Sequence, residues 1–191
     1  MKKQGSIAED GMRERLLVAA IREFEEHGIR DFSLRRVAAS CHLSCAAPYK
    51  HFRSKEHLLQ EVLNYIDSRW HLLMQEVLSS VGDEDEAIIE LSVTLVRFLV
   101  ANPSYIAVIL EKSNPDSLSS LSIPHPENSL SRLLCEHGYR RKRSPDSIRS
   151  IEYRIRSMIY GTVLLILRSA KDADEEIRIF RTTLREILTT A

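Results

Sequence analysis

Apolar residues recur at helical spacing along almost the whole of this 191-residue chain. The longest stripe, in residues 55–80, is formed by Leu58, Leu59, Val62, Ile66, Trp70, Leu73, Met74 and Val77. One unbroken helix over this segment would be about 39 Å long. Similar stripes near 148–166 and 177–188, without any convincing strand pattern, predict an all-α protein of about nine helices.

Small polar residues and glycine mark the expected ends of the first helices. Gly28 predicts the end of a helix that begins near residue 12, and Ser33 predicts the N-cap of a helix over 34–40. Ser44 predicts the N-cap of a second short helix over 45–51, and Ser54 that of the long helix. Two short capped helices joined by a tight turn have the plan of a helix-turn-helix.

The charge of this segment is unusual for the chain. Lys and Arg total 27 against 27 Asp and Glu overall, yet the stretch from Ser33 to Lys55 contains no acid. Its basic residues are Arg35, Arg36, Lys50, Arg53 and Lys55. Because phosphates repel carboxylates and attract Lys and Arg, a helix-turn-helix with this pattern predicts binding to double-stranded DNA.

Other classes of protein find little support in the sequence. The chain has three cysteines, and the spacing C-H-x-x-C at residues 41–45 is not a usual zinc pair, so we expect neither a metal nor a cofactor. Motifs for phosphate loops, H-E-x-x-H zinc sites or paired carboxylates are missing, so we do not expect an enzyme. No apolar run approaches about 20 residues, and the N-terminus lacks an apolar signal core, so we expect a cytoplasmic protein without membrane contact.

The segments "FEEHG" (24–28), "SLRRVA" (33–38) and "LSCAAPYKHFRSKEHLL" (43–59) resemble the N-terminal pattern of the TetR/AcrR family of bacterial transcriptional repressors. The resemblance covers about 50 residues, and eight positions fall in register: Gly28, Ser33, Ala38, Tyr49, Phe52, Lys55, Glu56 and Leu58. It implies a three-helix DNA-binding head over residues 1–54 and a helical ligand-binding and dimerisation domain over residues 55–191.

By this resemblance the chain is a ligand-responsive regulator. It is expected to be a homodimeric repressor that an unidentified small molecule releases from a palindromic operator. An all-helical adaptor, whose basic patch binds an acidic protein, is the alternative. Duplex binding that weakens steeply with salt would distinguish the regulator from the adaptor.

The expected DNA contacts combine phosphate donors with small residues that let the backbone approach base edges. Arg35 and Arg36 are both open to a reading as solvated surface charges, and the resemblance favours Arg35 as the one that faces DNA. Tyr49 is open to half-buried packing or phosphate contact, and we favour the contact. The predicted DNA-binding residues are Ser33, Arg35, Ser44, Cys45, Ala46, Ala47, Tyr49, Lys50, His51 and Lys55.

Four positions depart from the family pattern. At Cys45 and Ala46 family members commonly have Lys or Gly, and the other two departures affect the backbone. His42 stands in the turn where the family often has glycine, so we expect it to adopt a positive φ. Pro48 stands at the fourth helical position after Ser44, where its missing N–H removes the first intrahelical hydrogen bond. We therefore expect the second short helix to have a loose first turn.

The C-terminal half carries weaker signals. Aromatic and apolar residues for a ligand pocket, each of which also fits plain core packing, are Trp70, Phe98, Tyr105, Ile109, Met158 and Tyr160. The dimer interface is predicted on the last two helices through Ile155, Ile159, Val163, Ile177, Phe180 and Leu184, although these faces also fit burial within one chain. We expect a loop over 113–129 and a solvated basic loop, "RRKR", at 140–143.

Overall fold

The computed structural model describes residues 3–111, 121–168 and 172–190. Within these ranges the chain forms eight α-helices and one short 3₁₀ helix, and it contains no strand, which confirms the all-α prediction. The helices are α1 (Lys3–His27), α2 (Leu34–Ser40), the 3₁₀ helix (Ala47–Lys50), α3 (Lys55–Ser80), α4 (Glu84–Ala101), α5 (Pro103–Glu111), α6 (Glu127–Arg140), α7 (Pro145–Arg168) and α8 (Ala173–Thr190).

The helices α2 and α3 have the predicted bounds, whereas α1 begins at Lys3 and not near residue 12, so that prediction of its start is wrong. Ser54 caps α3 as expected, because its Oγ accepts a hydrogen bond from the amide of His57 at 3.2 Å. Of the predicted loop over 113–129, residues 113–120 lie outside the described residues, and residues 121–125 are not helical. The loop ends at Glu127, where α6 begins.

The chain divides into two compact units. The head unit consists of Met1–Asp67 with Asn102–Pro124, and the C-terminal unit consists of Ser68–Ala101 with His125–Ala191. The division falls inside α3, so this helix contributes residues to both units. The domain boundary expected between residues 54 and 55 stays a prediction.

The head unit is built on a core shared by α1, α2 and the first half of α3. The stripe Leu16, Ala20 and Phe24 of α1 is buried, as are Val37 of α2 and Leu58 of α3. An ion pair of 2.6 Å between Arg13 of α1 and Glu61 of α3 adds a polar contact. The Arg13 guanidinium also lies 5.2 Å from the centre of the Phe52 ring.

The C-terminal unit is organised around α4. This helix is buried on most of its surface, which is typical of a central helix that others cover on several sides. It packs against α6, α7 and α8. On its more polar side, Glu90 pairs with Arg181 of α8, and Glu86 lies 3.1 Å from Arg185 of the same helix.

The basic segment 140–143, at the end of α6 and in the loop that follows, is mostly exposed as predicted, and two of its arginines also pair with acids. Arg140 lies 2.8 Å from Glu84, and Arg141 lies 2.7 Å from Asp85. Arg143 donates a hydrogen bond of 3.1 Å to the carbonyl of Leu188 near the end of α8. The acids of these pairs lie in the first turn of α4, more than 50 positions earlier in the chain. The pairing therefore could not be predicted from neighbouring residues in the sequence.

Among the described residues no single helix is long and apolar enough to cross a membrane. Only the bent pair Glu84–Ala101 and Pro103–Ile109, taken together, meets that test by length and composition.

Candidate nucleic-acid interface

The turn after α1 and the cap of α2 form as the sequence predicts. Gly28 follows α1 with φ of 69°, a conformation that costs glycine little. Ser33 has extended backbone, and its Oγ accepts a hydrogen bond from the amide of Arg36 at 3.4 Å. The first helix of the predicted helix-turn-helix therefore begins at Leu34.

The tight turn after α2 depends on His42. The amide of Leu43 donates to the carbonyl of Ala38 at 2.9 Å, and the amide of His42 donates to that of Ala39 at 3.0 Å. These two bonds form the Schellman pattern that ends a helix, and they place His42 at φ 59°. The expected positive φ of His42 is confirmed.

The second short helix is shorter and tighter than predicted. It is a 3₁₀ helix over Ala47–Lys50, not an α-helix over 45–51, and Ala46 rather than Ser44 occupies its N-cap without a side-chain hydrogen bond. Pro48 explains the difference, since it has no N–H to donate to the carbonyl of Ser44. That carbonyl accepts only the amide of Ala47, at 2.9 Å, among the backbone bonds of this turn.

The segment regains α-type bonding after the proline. The carbonyl of Pro48 accepts amides from both His51, at 3.0 Å, and Phe52, at 2.8 Å. Pro48 and Phe52 are buried and the 3₁₀ helix packs against α2, so the segment is anchored from its inner side. The α-helical hydrogen bond to Ser44 is absent as expected at Pro48, and a first turn that stays loose until DNA binds remains a prediction.

None of the ten predicted DNA-binding side chains is buried. The exposed ones are Arg35, Ser44, Cys45, Ala46, Tyr49 and Lys50, and the half-buried ones are Ser33, Ala47, His51 and Lys55. Tyr49 has 58% of its surface exposed, which argues against a packing role. All ten lie within the head unit.

The cations on this surface differ in whether they already form ion pairs within the chain. Arg35, Lys50 and Arg53 are exposed and form no ion pair within the part of the chain that the structure describes. The ammonium of Lys55 lies 5.9 Å from the centre of the Phe32 ring. Arg36 is different, because it pairs with Glu23 at 2.5 Å.

Glu23 is a residue that the sequence reasoning missed. It is 7% exposed and lies on α1 beside the buried stripe of Leu16, Ala20 and Phe24. An acid on the buried face of a helix requires a partner, since an unpaired buried charge is costly. That position was the available signal that a basic partner exists, although it does not identify Arg36 as that partner.

The acid next to Lys55 serves the helix and not the surface charge. Glu56 stands in the first turn of α3, where its pKa is lowered by a hydrogen bond from its own backbone amide and then by one from Ser54. A carboxylate at this end of a helix stabilises the helix. The first acid after the acid-free stretch from Ser33 to Lys55 is therefore Glu56, which stabilises the N-terminus of α3.

The residues predicted for a ligand pocket belong to two different units, and the pocket stays a prediction. Trp70 and Phe98 lie in the C-terminal unit with ring centres 5.5 Å apart, and Trp70 is fully buried. Met158 and Tyr160 are half-buried on α7 in the same unit. The remaining two, Tyr105 and Ile109, lie on α5 in the head unit.

The residues predicted for the dimer interface require a correction. Each is buried within the single chain, with exposures from 0% to 7%: Ile155, Ile159, Val163, Ile177, Phe180 and Leu184. Side chains inside one chain have no surface for a partner, because α4, α7 and α8 pack these faces against one another. Dimerisation through α7 and α8 stays a prediction, but it must use other residues of these helices.

The capped α2, the turn at His42, the anchored 3₁₀ helix and their exposed cations define a DNA-binding protein of the helix-turn-helix class. Residues 16–62 match the family model described as "Bacterial regulatory proteins, tetR family". Over these residues the chain carries a TetR-family DNA-binding domain, as its N-terminal motifs indicated. No curated protein matches it.

Solved structures share the fold over nearly the whole chain. A protein of unknown function from Rhodococcus sp. RHA1 is 20% identical with a TM-score of 0.71, covering 91% of this chain and 93% of its own. A TetR/AcrR-family regulator from Thermobifida fusca is 18% identical with a TM-score of 0.68, covering 92% and 97%. The regulator FadR from Bacillus subtilis, in complex with stearoyl-CoA, is 14% identical with a TM-score of 0.63, covering 92% and 96%.

Proposed function

We propose that this regulator is a ligand-responsive repressor that binds palindromic duplex DNA as a homodimer in the cytoplasm and has no enzymatic activity. The observation that carries the proposal is the set of exposed cations Arg35, Lys50 and Arg53, which form no ion pair among the described residues and lie in a segment without acids. Each such cation that contacts a phosphate releases counterions from the DNA and so raises the binding affinity. A cation already paired with an acid of the protein would not contribute this affinity.

The roles of the contact residues follow from their positions. Arg35, Tyr49 and Lys50 are exposed donors suited to phosphate oxygens, and half-buried His51 and Lys55 add two more at the flank. The hydroxyls of Ser33 and Ser44 are further phosphate donors. Cys45, Ala46 and Ala47 present only small side chains, so the backbone there can approach base edges in the major groove.

A dimer is supported by the apolar side chains that α7 and α8 leave exposed. Tyr153, Leu164, Leu165 and Leu167 on α7 and Ile179 on α8 each expose more than two fifths of their surface. Between the two helices lies a groove of about 560 Å³, lined in part by Tyr153 and Met158. A second copy that covered this surface would also supply the second reading head that a palindrome requires.

Leu165→Glu tests this interface, and Leu72→Glu is its matched control. Leu165 is 53% exposed on α7, and Leu72 is 62% exposed on α3. A charge buried in an apolar interface is costly, so we expect Leu165→Glu to sediment as a monomer and Leu72→Glu to behave as the wild type. Equal sedimentation of both variants and the wild type as dimers would place the interface elsewhere.

The ligand response is proposed through the core of the C-terminal unit. Trp70 is the only tryptophan of the chain, it contacts Phe98, and its Nε1 is buried without a hydrogen-bond partner among the described residues. An indole N–H is a donor that needs an acceptor, so a ligand that enters here would carry one. FadR from Bacillus subtilis was solved with stearoyl-CoA, a ligand with a long apolar chain.

The experiment that tests the function is a gel shift on duplexes selected by the protein from a random library. A dimer with about 6–10 phosphate contacts should lose a factor of about 10³–10⁵ in affinity between about 50 and 200 mM salt. Trp70 fluorescence then reports binding of acyl-CoA thioesters, and a bound ligand should release the duplex. A protein that selects no duplex, while it captures an acidic protein at the same surface, would support the adaptor instead.

A further inference from the structure

The buried acid of α1, Glu23, has contacts that go beyond stabilising the helix. The other α1 acids with described side chains, Glu14, Glu25 and Glu26, are exposed, whereas Glu23 is 7% exposed. Its Oε1 accepts the backbone N–H of Ser33 at 3.0 Å, so it binds the N-cap residue of α2. One carboxylate therefore ties α1 to the start of the first helix of the helix-turn-helix.

The same carboxylate holds the guanidinium of Arg36. Nε of Arg36 lies 2.8 Å from Oε1 and 3.1 Å from Oε2 of Glu23, and Nη2 donates to Oε1 as well. Nη2 of Arg36 also donates to the carbonyl of Asp31 in the connection between the helices. The hydrogen bonds that Arg36 donates to Glu23 raise the pKa of Arg36 above its ordinary value.

The consequence concerns the charge that α2 offers to DNA. Arg35 and Arg36 are adjacent in its first turn, and both are exposed enough for phosphates to reach them. Among the described residues Arg35 forms no ion pair, whereas Arg36 directs its charge to Glu23 and its Nε and Nη2 donors to Glu23 and the carbonyl of Asp31. A released Arg36 would add affinity for any phosphate backbone without adding sequence information.

We propose that Glu23 is a specificity-determining positioning residue that withholds Arg36 from phosphates and fixes the start of α2, so that the head docks in one register. This inference rests on the proposed DNA-binding surface. It concerns the ratio between operator and non-specific affinity, which decides whether a regulator finds its site in a genome.

The test compares Glu23→Gln with Glu26→Gln, which removes the same charge from an exposed position of the same helix. The probes are a duplex selected by the wild type and a random-sequence duplex of equal length, each titrated from about 50 to 200 mM salt. For Glu23→Gln we expect tighter binding of the random duplex, a salt slope steeper by about 0.9 per head, and a lower specificity ratio. Glu26→Gln should match the wild type, and adding Arg36→Gln to Glu23→Gln should restore the wild-type slope.

Equal slopes for Glu23→Gln and Glu26→Gln would overturn the proposal. Should Glu23→Gln fail to fold, the comparison of Arg36→Gln with Arg35→Gln decides the matter. Because Arg36 is already withheld, its loss should leave the slope unchanged, whereas Arg35→Gln should lower it by about 0.9 per head. Equal losses for both arginines would refute the withholding of Arg36. Failure of the proposed function is distinguishable, since the wild type itself would then bind neither duplex.

Discussion

Replacing Arg35 with alanine tests the proposed DNA-binding surface at an exposed cation that forms no ion pair among the described residues. Arg35 is exposed in the first turn of α2 and has no ion-pair partner among the described residues. A positive charge at a helix N-terminus does not favour the helix, so its loss should change stability by less than about 0.5 kcal/mol. Any large effect on DNA binding must therefore come from the lost phosphate contact.

The size of that effect follows from one lost contact in each head of a dimer. Two contacts change the slope of the logarithm of the binding constant against the logarithm of the salt concentration by about 1.8. A fourfold rise in salt therefore reduces the ratio of wild-type to variant affinity by a factor of about 12. At low salt, where a charge-assisted hydrogen bond contributes about 1.5–3 kcal/mol, two lost bonds weaken binding by at least about 100-fold. The affinity for random duplex should fall with the same change of slope.

The assay is fluorescence anisotropy with a selected duplex at several salt concentrations, and Arg132→Ala is the control. Arg132 is an exposed helical arginine of α6 in the C-terminal unit and also has no ion pair within the described chain. We expect its slope to equal that of the wild type. An Arg35→Ala slope equal to that of Arg132→Ala would show that Arg35 does not contact phosphate and would refute the orientation assigned to α2.

Two further predictions concern the C-terminal unit and the loop before α4. Gly138→Ala should destabilise the fold by about 1–3 kcal/mol, because the new Cβ would lie 2.5 Å from Cγ1 of Ile148. The control Gly82→Ala, whose new Cβ has nothing within 4 Å, should leave the melting temperature nearly unchanged. Equal melting temperatures for the two variants would contradict this prediction. Tyr160 should ionise at about pH 12 in an absorbance titration, since burial and then the Glu127 carboxylate raise its pKa from 10.0. The stability contributed by the neutral phenol of Tyr160 is therefore fully present below about pH 10 and is lost as the pH rises towards 12. Glu127→Gln should lower the pKa of Tyr160 part of the way back towards 10.0, and an unchanged pKa would show that Glu127 is not a cause.

The helix pattern and the caps could be predicted from the sequence because they depend on local interactions. Apolar spacing, Gly28 and Ser33 place the first helices, and His42 in a glycine position announces its positive φ. Pro48 correctly indicated that an α-helical hydrogen bond to Ser44 would be missing. The full consequence, a four-residue 3₁₀ helix, depends on how the following residues are packed, and that is not a local property.

The misassigned residues were those whose partners are distant in the chain. Arg36 looked like a second surface cation until Glu23, 13 positions earlier, was found to hold it. The apolar stripe with Ile155 could be buried by its own chain or by a second copy, and only packing against α4 decides this. Periodicity shows which face of a helix is apolar, but not what covers that face.

The most direct test of the DNA-binding surface uses a thiol that the surface already contains. Cys45 is exposed in the segment assigned to the major groove, Cys41 is buried, and Cys135 on α6 is half-buried and serves as the internal control. Alkylation rates are measured by mass spectrometry with and without saturating duplex. We predict that the duplex slows alkylation of Cys45 by about tenfold or more and leaves Cys135 unchanged, because thiol reactivity depends on access. An unchanged rate at Cys45 with the duplex bound would contradict the assignment of this surface.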